Sequence, residues 1–373
     1  MPRSHLCLEE EVVTNLDIER LAKRNLDPAT KHYFDDGADL QQSADENRQA
    51  FFRLRLLPWM LRDVAIRDQT TTVLGQKISL PVGFAPTAYL KMAHPDGEEG
   101  SAKAAKDAGT VMILSPMSNT SLEDVDSAAP GGLRWMQTFI FKERDVTRSL
   151  VLRAEKACYK AIVVGVDWPL SGRKIYDTKC GFDISPNLTN ANFEGSDFAS
   201  PKTAQGNSIS KLKKALIDPS VVWGDVDWLR SITKLPIVVK GIIRPEDALT
   251  AVEHGASGII VSNHGGRQLD GVAATIELLP DIIKAVNGRC EVYMDGGVRM
   301  GTDVTKAIAM GARAVFVSRP VVWGLAYNGQ QGVAKMVSIF RDEIDRALGL
   351  LGCSSLKELT PDLVVRQEYY SRL

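Results

Sequence analysis

The sequence predicts an α/β protein, a (β/α)8 barrel, on three observations. Short apolar segments with the length of strands recur eight times between residues 81 and 317, and most are followed by a segment with helical spacing. Such an alternation is typical of a parallel sheet covered by helices. The length is the third observation, since 373 residues with 44% hydrophobic content can bury one large barrel. Two domains or a doubly wound sheet also suit this length, but the count and even spacing of the strands favour the barrel.

An extension is predicted ahead of the barrel at residues 8–80. Helices are expected in three segments of it: 15–25, 28–34 and 39–52. The segments 53–57 and 70–75 have strand character, and the pair Gly75-Gln76 predicts a turn in a short hairpin. We expect this hairpin to close one end of the barrel.

The barrel is predicted at residues 81–350. Its strands are expected at 81–85, 111–114, 134–138, 161–166, 236–239, 258–261, 291–294 and 314–317. Helices are expected at 97–108, 121–128, 143–157, 225–233, 245–254, 273–286 and 301–310, with a closing amphipathic helix at 332–349. Residues 168–224 interrupt this rhythm, and a connection of that length is typical of a lid. Within it, residues 187–210 are rich in Asn, Ser, Gly and Pro, which indicates mobility.

The composition excludes several classes of partner. Lys plus Arg number 45 and Asp plus Glu 46, so no basic field points to nucleic acid or an anionic membrane. No apolar run approaches the length of a membrane span, and the first ten residues lack the apolar core of a signal peptide. The five cysteines are scattered without a CxxC pair, which argues against disulfides and a zinc site, and no other metal site is predicted. A small molecule is the expected partner.

Chemically active side chains follow the sixth strand. Residues 262–270 begin directly after the apolar run 258–261 and contain His264 and Arg267, separated by two glycines. Barrel active sites lie at the C-terminal ends of the strands, so we predict a base beside an anion-binding guanidinium. A structural histidine and a solvated arginine are the alternative. Asp167, after the fourth strand, offers the imidazole an orienting carboxylate, and Arg267 can grip a substrate carboxylate with a bidentate fork.

The other strand ends are polar too. Asp295-Gly296-Gly297-Val298-Arg299 and Ser318-Arg319 follow the seventh and eighth strands and offer backbone amides and guanidiniums to a phosphate. The alternative is that these glycines only turn the chain and the arginines are solvated. The remaining ends carry Pro86, Thr87, Ala88, Ser115, Gln137, Lys240 and Ser262. A polar group at every strand end predicts one shared site.

Four of these motifs carry a resemblance to a known family. Residues 262–270, Val239-Lys240-Gly241, Pro86-Thr87-Ala88 and Asp295-Gly296-Gly297-Val298-Arg299 resemble the FMN-dependent α-hydroxy acid oxidase and dehydrogenase family, which includes glycolate oxidase. The resemblance runs from Tyr33-Phe34-Asp35-Asp36-Gly37-Ala38 to Gly352-Cys353, so residues 1–373 are interpreted as a single domain of this family. Among its members the chain is most similar to the peroxisomal oxidases of eukaryotes.

The resemblance implies FMN as the cofactor. It places the phosphate on Gly297, Arg299 and Arg319, with Asp295, Gly296 and Ser318 beside it. It places the flavin ring among Pro86, Thr87, Ala88, Ser115, Gln137, Lys240 and Ser262. A cation at Lys240 suits this role because negative charge accumulates on a flavin ring when it is reduced.

For the substrate, the resemblance implies an L-2-hydroxy acid that becomes a 2-oxo acid. His264 is then the base, acting on the hydroxyl during hydride transfer or on the α-carbon, and Asp167 stabilises its imidazolium. Arg267 and Tyr33 hold the carboxylate, and Phe139 and Lys174 also face the substrate.

The resemblance also bears on the electron acceptor and the setting. Ala88 after Pro-Thr favours oxygen as acceptor, with hydrogen peroxide as product. The chain ends Ser371-Arg372-Leu373, a variant of the peroxisomal address, which predicts a peroxisomal protein that binds the import receptor. The family further implies a homo-oligomer, a tetramer.

Several positions depart from the family pattern. Phe139 stands where the family usually has Tyr, Lys174 where it has Arg, and Gly165 where it has a Thr that contacts the flavin. Met117 stands where glycolate oxidases often have Trp. Together with Trp168, the apolar residues at positions 117 and 139 predict a pocket for a larger side chain than that of glycolate. Three alternatives stay open: a flavin-binding homologue with weakened activity, a dehydrogenase with another electron acceptor, and a phosphate-binding barrel without flavin, such as an isomerase.

Overall fold

The computed structural model describes residues 11–180, 188–194 and 216–368. The extension begins with three helices, α1 (Asn15–Asn25), α2 (Pro28–Asp35) and α3 (Gln42–Phe52). Thr14 caps α1, since its hydroxyl accepts the Asp17 amide at 3.2 Å, and Asp27 caps α2 just before the proline at its first turn. The predicted helices are therefore present, and the third begins at Gln42 rather than at residue 39.

The strand at 53–57 does not take part in the predicted hairpin. Strand β1 (Leu54–Leu56) pairs antiparallel with β12 (Val364–Arg366) near the other end of the chain. The hairpin consists of β2 (Thr71–Val73) and β3 (Gln76–Ile78), joined by a turn at Leu74-Gly75. A partner more than 300 residues away leaves no signal in the local pattern, which is why the prediction for 53–57 was wrong about its pairing.

A closed barrel of eight parallel strands follows the extension, as predicted. The strands are β4 (Val82–Phe84), β5 (Val111–Leu114), β6 (Leu133–Thr138), β7 (Ile162–Gly165), β8 (Ile237–Ile242), β9 (Gly258–Val261), β10 (Glu291–Asp295) and β11 (Val315–Val317). They pair in chain order, and β11 closes the barrel on β4. Strand β8 runs three residues past its predicted end, so Lys240 lies within the strand and not after it.

Further helices follow the extension, and most of them cover the outside of the barrel. They are α4 (Gly97–Asp107), α5 (Leu122–Ala128), α6 (Arg144–Lys156), α7 (Ile175–Cys180), α8 (Trp223–Ser231), α9 (Pro245–Glu253), α10 (Thr275–Val286), α11 (Gly301–Ala309) and α12 (Arg319–Leu351). Helix α12 kinks at Asn328 and Gly329, whose backbone angles are not helical. The closing helix was predicted from residue 332, which is the part after the kink. Its first part directly follows β11, so Arg319 lies at a helix N-terminus.

Aromatic side chains fill the barrel interior. The rings of Trp135, Tyr293 and Phe316 contact one another with centres 5.5–5.7 Å apart. Val73 and Ile78 of the β2–β3 hairpin are buried in the same cluster, and the Leu74 amide donates to a Glu291 carboxylate oxygen at 3.1 Å. The hairpin therefore closes the N-terminal end of the barrel, as expected, and leaves the opposite end for a site.

The predicted lid at 168–224 is described in part. Helix α7 docks on the extension: the Tyr176 ring stacks on His32 with centres 4.0 Å apart, and Arg173 pairs with Asp39 at 2.6 Å. Of the segment predicted to be mobile, residues 188–194 contain the buried Asn192 and Phe193, and the rest lies outside the described residues. The side-chain amide of Asn192 donates to the Pro116 carbonyl at 3.2 Å, so these residues pack against the barrel although their composition is typical of loops.

No helix among residues 11–180, 188–194 and 216–368 is long and apolar enough to cross a membrane.

Candidate active site

A cleft opens at the C-terminal ends of the barrel strands. The space in it that the centre of a water-sized molecule can reach is about 150 Å³. Its walls include every residue predicted for the site except Asp167 and Ser262: Tyr33, Pro86, Thr87, Ala88, Ser115, Gln137, Phe139, Lys174, Lys240, His264, Arg267, Asp295, Gly296, Gly297, Arg299, Ser318 and Arg319. Asp167 and Ser262 stand behind this wall, where each contacts a residue that lines it. The structure thus brings the whole predicted set together at one place.

His264 and Asp167 form a partly buried pair, with 29% of the His264 side chain and 11% of the Asp167 side chain exposed. The Nδ1 atom of His264 lies 3.1 Å from both carboxylate oxygens of Asp167. Burial opposes ionisation of Asp167, but the charge and hydrogen bond of His264 and the charge of Lys240 outweigh it and lower the pKa of Asp167. An ionised carboxylate accepts the Nδ1 proton, so Nε2 is the nitrogen that the imidazole has left for the cleft.

Backbone geometry makes this pair possible. His264 adopts a left-handed conformation with φ +57°, and its amide donates to the Ser262 hydroxyl at 3.1 Å. Gly241 has φ +114° at a bulge in β8, and a β-carbon there would lie 2.6 Å from the Asp167 β-carbon. A glycine at this position therefore lets Asp167 approach the barrel wall.

A buried charge, the Lys240 ammonium, lies deeper in the cleft. The Lys240 ammonium donates to the Ser262 hydroxyl at 2.9 Å and pairs with Asp295 at 3.1 Å. Burial disfavours its charged form, but the charges of Asp295 and Asp167 raise the pKa of Lys240, so it remains a cation. The other Asp295 carboxylate oxygen, Oδ1, is buried with no hydrogen-bond partner among the described residues. An acceptor of this kind is expected to meet a donor of a bound group.

The end of the cleft where a phosphate site was predicted holds two guanidiniums, those of Arg299 and Arg319. Arg299 pairs with Glu19 of α1 at 3.2 Å. Arg319 donates to the carbonyls of Phe34 and Gly265, while its Nη2 is buried without a partner in the described part of the chain. Burial and the nearby charges of Arg267 and Arg299 lower the pKa of Arg319 to about 9.

This end of the cleft is suited to an anion. The charges of Arg267 and Arg299 repel that of Arg319. The Nη2 of Arg319, which has no hydrogen-bond partner among the described residues, needs an acceptor. Gly297 has φ +80° and packs so closely that a β-carbon would lie 1.8 Å from the Asn47 carbonyl. Only glycine can take this position, which leaves backbone amides rather than a side chain at the anion.

Arg267 lies on the substrate side. Its guanidinium stands 5.5 Å from the centre of the Tyr33 ring, and its Nη1 donates to the Asp36 carbonyl at 2.8 Å. Burial lowers the pKa of Arg267, and burial raises the pKa of Tyr33 to about 12, so the phenol keeps its proton. A guanidinium and a phenol together can bind a carboxylate.

Three of the departures from the family pattern, at positions 117, 139 and 165, lie in one wall of the cleft. The Phe139 ring lies over Gly165, where a β-carbon would come within 2.4 Å of its Cε1 atom. Phe139 also packs edge to face on Trp168 with centres 4.7 Å apart, and Trp168 reaches the His264 ring at 6.3 Å. The buried Met117 lines the same cleft. This side of the cleft is therefore apolar.

Two contributors to the site were not predicted. Glu19 was expected only as part of a helix, and helical spacing carries no sign of its partner Arg299. Gln268 was quoted within 262–270 without a role, yet it donates to the carbonyls of Asp167 and Leu170 and ties the start of the lid to the strand end. Neither contact has a signature in a single sequence.

A barrel whose C-terminal face joins a cluster of arginines, a buried cation and a His–Asp pair defines a class: an oxidoreductase that binds a phosphate-bearing cofactor. The comparison with known sequences makes the class specific. Residues 22–366 match the sequence model of the FMN-dependent dehydrogenases. The chain belongs to the FMN-dependent dehydrogenase family, and its cofactor is FMN.

Individual relatives agree with this assignment. The chain is 48% identical to mouse 2-hydroxyacid oxidase 1, covering 93% of this chain and 95% of the relative. It is 49% identical to spinach glycolate oxidase, covering 93% and 94%. Among solved structures, a mandelate oxidase with (S)-4-hydroxymandelic acid superposes with a TM-score of 0.89 at 40% identity, covering 93% of this chain and 97% of that chain. The predicted family, fold and cofactor are confirmed.

Proposed function

We propose that the protein oxidises an L-2-hydroxy acid to a 2-oxo acid and passes the electrons to oxygen, which yields hydrogen peroxide. The observation that carries this proposal is the bond of His264 Nδ1 to both carboxylate oxygens of Asp167, beside a cleft that also holds Arg267 and Lys240. A base, a carboxylate-binding cation and a site for a reduced ring are the three parts that this oxidation needs.

The cofactor would be held along the whole cleft. Gly297, Arg299 and Arg319 would bind its phosphate, next to Asp295, Gly296 and Ser318, and the orphaned Nη2 of Arg319 supports this placement. Its ring would contact Pro86, Thr87, Ala88, Ser115, Gln137, Lys240 and Ser262. When bound, FMN accepts the two electrons that leave the α-carbon of the substrate.

His264 acts as the base. Its Nε2 takes a proton from the substrate, either from the hydroxyl or from the α-carbon. Asp167 stabilises the imidazolium that forms, because it is ionised and bonded to Nδ1. Arg267 and Tyr33 hold the substrate carboxylate, which orients the α-carbon towards His264.

Lys240 would supply positive charge to the reduced cofactor. It is buried, paired with Asp295 and bonded to Ser262, so its position is fixed before substrate binds. A preorganised charge in a buried site stabilises developing negative charge without reorganisation.

The substrate carries a bulky apolar side chain on its α-carbon, where glycolate has only hydrogen. Phe139, Met117 and Trp168 present an apolar wall, and Lys174 replaces the planar fork of an arginine with a point charge. Relatives with both substrate ranges resemble this chain, since one is a glycolate oxidase and another a mandelate oxidase. The apolar wall favours the bulkier acid.

The setting of the enzyme extends the proposal. Ala88 lines the cleft and supports oxygen as the acceptor. We expect a peroxisomal location, through recognition of Ser371-Arg372-Leu373 by the import receptor, although this tripeptide lies outside the described residues. A homo-oligomer, a tetramer, is the expectation from the family.

One experiment tests the reaction. The purified protein is checked for bound flavin and mixed without air with 2-hydroxy acids of increasing size, and bleaching of the flavin absorbance identifies the substrate. Readmitted air should restore the colour within seconds, with peroxide formed in equal amount to the 2-oxo acid. Slow return of colour would indicate a dehydrogenase with another acceptor, and a flavin that no acid bleaches would refute the proposed activity.

A further inference from the structure

A second cavity lies behind the apolar wall of the catalytic cleft. Phe139 and Trp168 line both spaces, so the partition between them contains two aromatic side chains. The cavity has a volume of about 400 Å³, within the range of about 300–1000 Å³ that is common for small-molecule sites. It lies between the ends of β7 and β8 and the start of α8.

The lining of this cavity is mainly apolar. It includes Ile140, Ile217, Val221, Trp223, Val226 and Ile242. Two carboxylates also reach it: Asp218, which pairs with Arg144 at 2.8 Å, and Asp247 in the first turn of α9. The lining therefore suits an uncharged apolar group, because an anionic group would lose its hydration there and meet the carboxylate of Asp247.

Gly165 links the two spaces. It lines the second cavity and stands under the Phe139 ring, where a β-carbon would lie 2.4 Å from Cε1. A side chain at position 165 would force the ring off this position. Because position 165 has no side chain, the Phe139 ring itself forms the partition between the two spaces. A ring can turn about its side-chain torsions without movement of the strand that carries it.

We propose that this cavity is a subsite for the apolar end of the 2-hydroxy acid, entered beside Phe139. The inference rests on the proposed function and names its substrate class: acids with a long or aromatic uncharged tail. Acids that end in a second carboxylate would be poor substrates, because the lining is mainly apolar and includes the carboxylate of Asp247.

Substitutions at the far wall test the subsite without touching the catalytic cleft. Val221→Trp fills the cavity from a partly exposed loop position, and Ile217→Ala enlarges it. Leu152→Trp adds the same bulk on α6, at a site 48% exposed and away from the cavity. The probes are lactate, 2-hydroxyoctanoate and 3-phenyllactate, with kcat/KM and bound flavin measured for each variant.

Val221→Trp should lower kcat/KM for the two long acids by about 10-fold or more, as expected when a tail loses its pocket. It should change lactate by less than about 2-fold, and Leu152→Trp should leave all three unchanged. Ile217→Ala should raise the ratio of kcat/KM for 2-hydroxyoctanoate to kcat/KM for lactate. Equal losses for short and long acids, or no change for either, would overturn the subsite while lactate oxidation upholds the proposed function. A wild-type flavin that no acid bleaches would overturn both.

Discussion

The Phe139 ring packs directly on Gly165 and fills the space that a side chain there would need: a β-carbon at position 165 would lie 2.4 Å from the ring. The ring can lie where it does only over a glycine, so a threonine at position 165 would require the ring to move. The two positions should therefore be energetically coupled.

A double-mutant cycle measures this coupling. Gly165→Thr should lower the free energy of unfolding by about 1–3 kcal/mol, because the core at Phe139 is overpacked. In a Phe139→Ala background the same substitution should cost much less, which gives a coupling energy of about 1–3 kcal/mol. Chemical denaturation of the four proteins checks this. Additive effects would show that the ring moves aside freely.

Asp167→Asn should reduce turnover while cofactor is retained. An amide can donate to Nδ1, which favours the tautomer with the proton on Nε2, and such a His264 cannot accept a proton from the substrate. We expect kcat to fall by about 10²–10⁴-fold with little change in bound FMN. Asp145→Asn, at an exposed position on α6, is the matched control. A variant with normal kcat would exclude the pair from proton removal.

Glu19 predicts an acid dependence of stability. Burial opposes its ionisation, but the charge of Arg299 and the contacts of Lys23 lower the pKa of Glu19 from 4.5 to about 2. A carboxyl group with a lowered folded pKa stabilises the protein above its unfolded pKa, and the contribution is lost as the pH falls through the folded value. The difference between 4.5 and about 2 corresponds to about 3 kcal/mol.

Glu19→Gln should therefore lower the free energy of unfolding at pH 7 by about 3 kcal/mol. The gap from the wild type should narrow as the pH falls from 4.5 towards 2. Unfolding by denaturant across this pH range provides the measurement, with Glu253→Gln on the exposed face of α9 as control. A constant gap at all pH values would show that the loss comes from packing rather than charge.

Much of this fold follows from local sequence pattern, because most barrel strands are short, mainly apolar runs that are buried. The hairpin at 71–78 and the polar strand ends also have local signals, namely the turn residue Gly75 and the polar residues that directly follow the apolar runs. The pairing of Leu54 with Arg366 and the contact of Glu19 with Arg299 were not, since each joins segments far apart in sequence. The Phe139–Gly165 contact needed three dimensions too: the sequence marks both as departures, but only the barrel places them side by side.

The orphaned guanidinium nitrogen of Arg319 predicts a defect in cofactor retention. Arg319→Met removes a cation from a cluster that repels itself, so the protein without cofactor should be at least as stable as the wild type. Its affinity for FMN should fall by about 10–100-fold, the loss of a hydrogen bond to a charged group. Unfolding of the cofactor-free protein by denaturant checks the stability, and titration of the same protein with FMN checks the affinity. Arg313→Met, at an exposed position just before β11, should leave the affinity unchanged.

Lys174 is a further residue that could bind the substrate carboxylate. It lines the cleft from the start of the lid, where a single ammonium replaces the planar fork that the family usually has. Lys174→Arg should lower KM for short 2-hydroxy acids by about 3–10-fold, because two parallel hydrogen bonds replace one point charge. Turnover should change less, since His264 and Asp167 are untouched. Steady-state kinetics with lactate provides the measurement, and Lys179→Arg on α7 is the matched control. An unchanged KM would mean that position 174 serves the docking of the lid and not the substrate, and that Arg267 alone sets the affinity for the carboxylate.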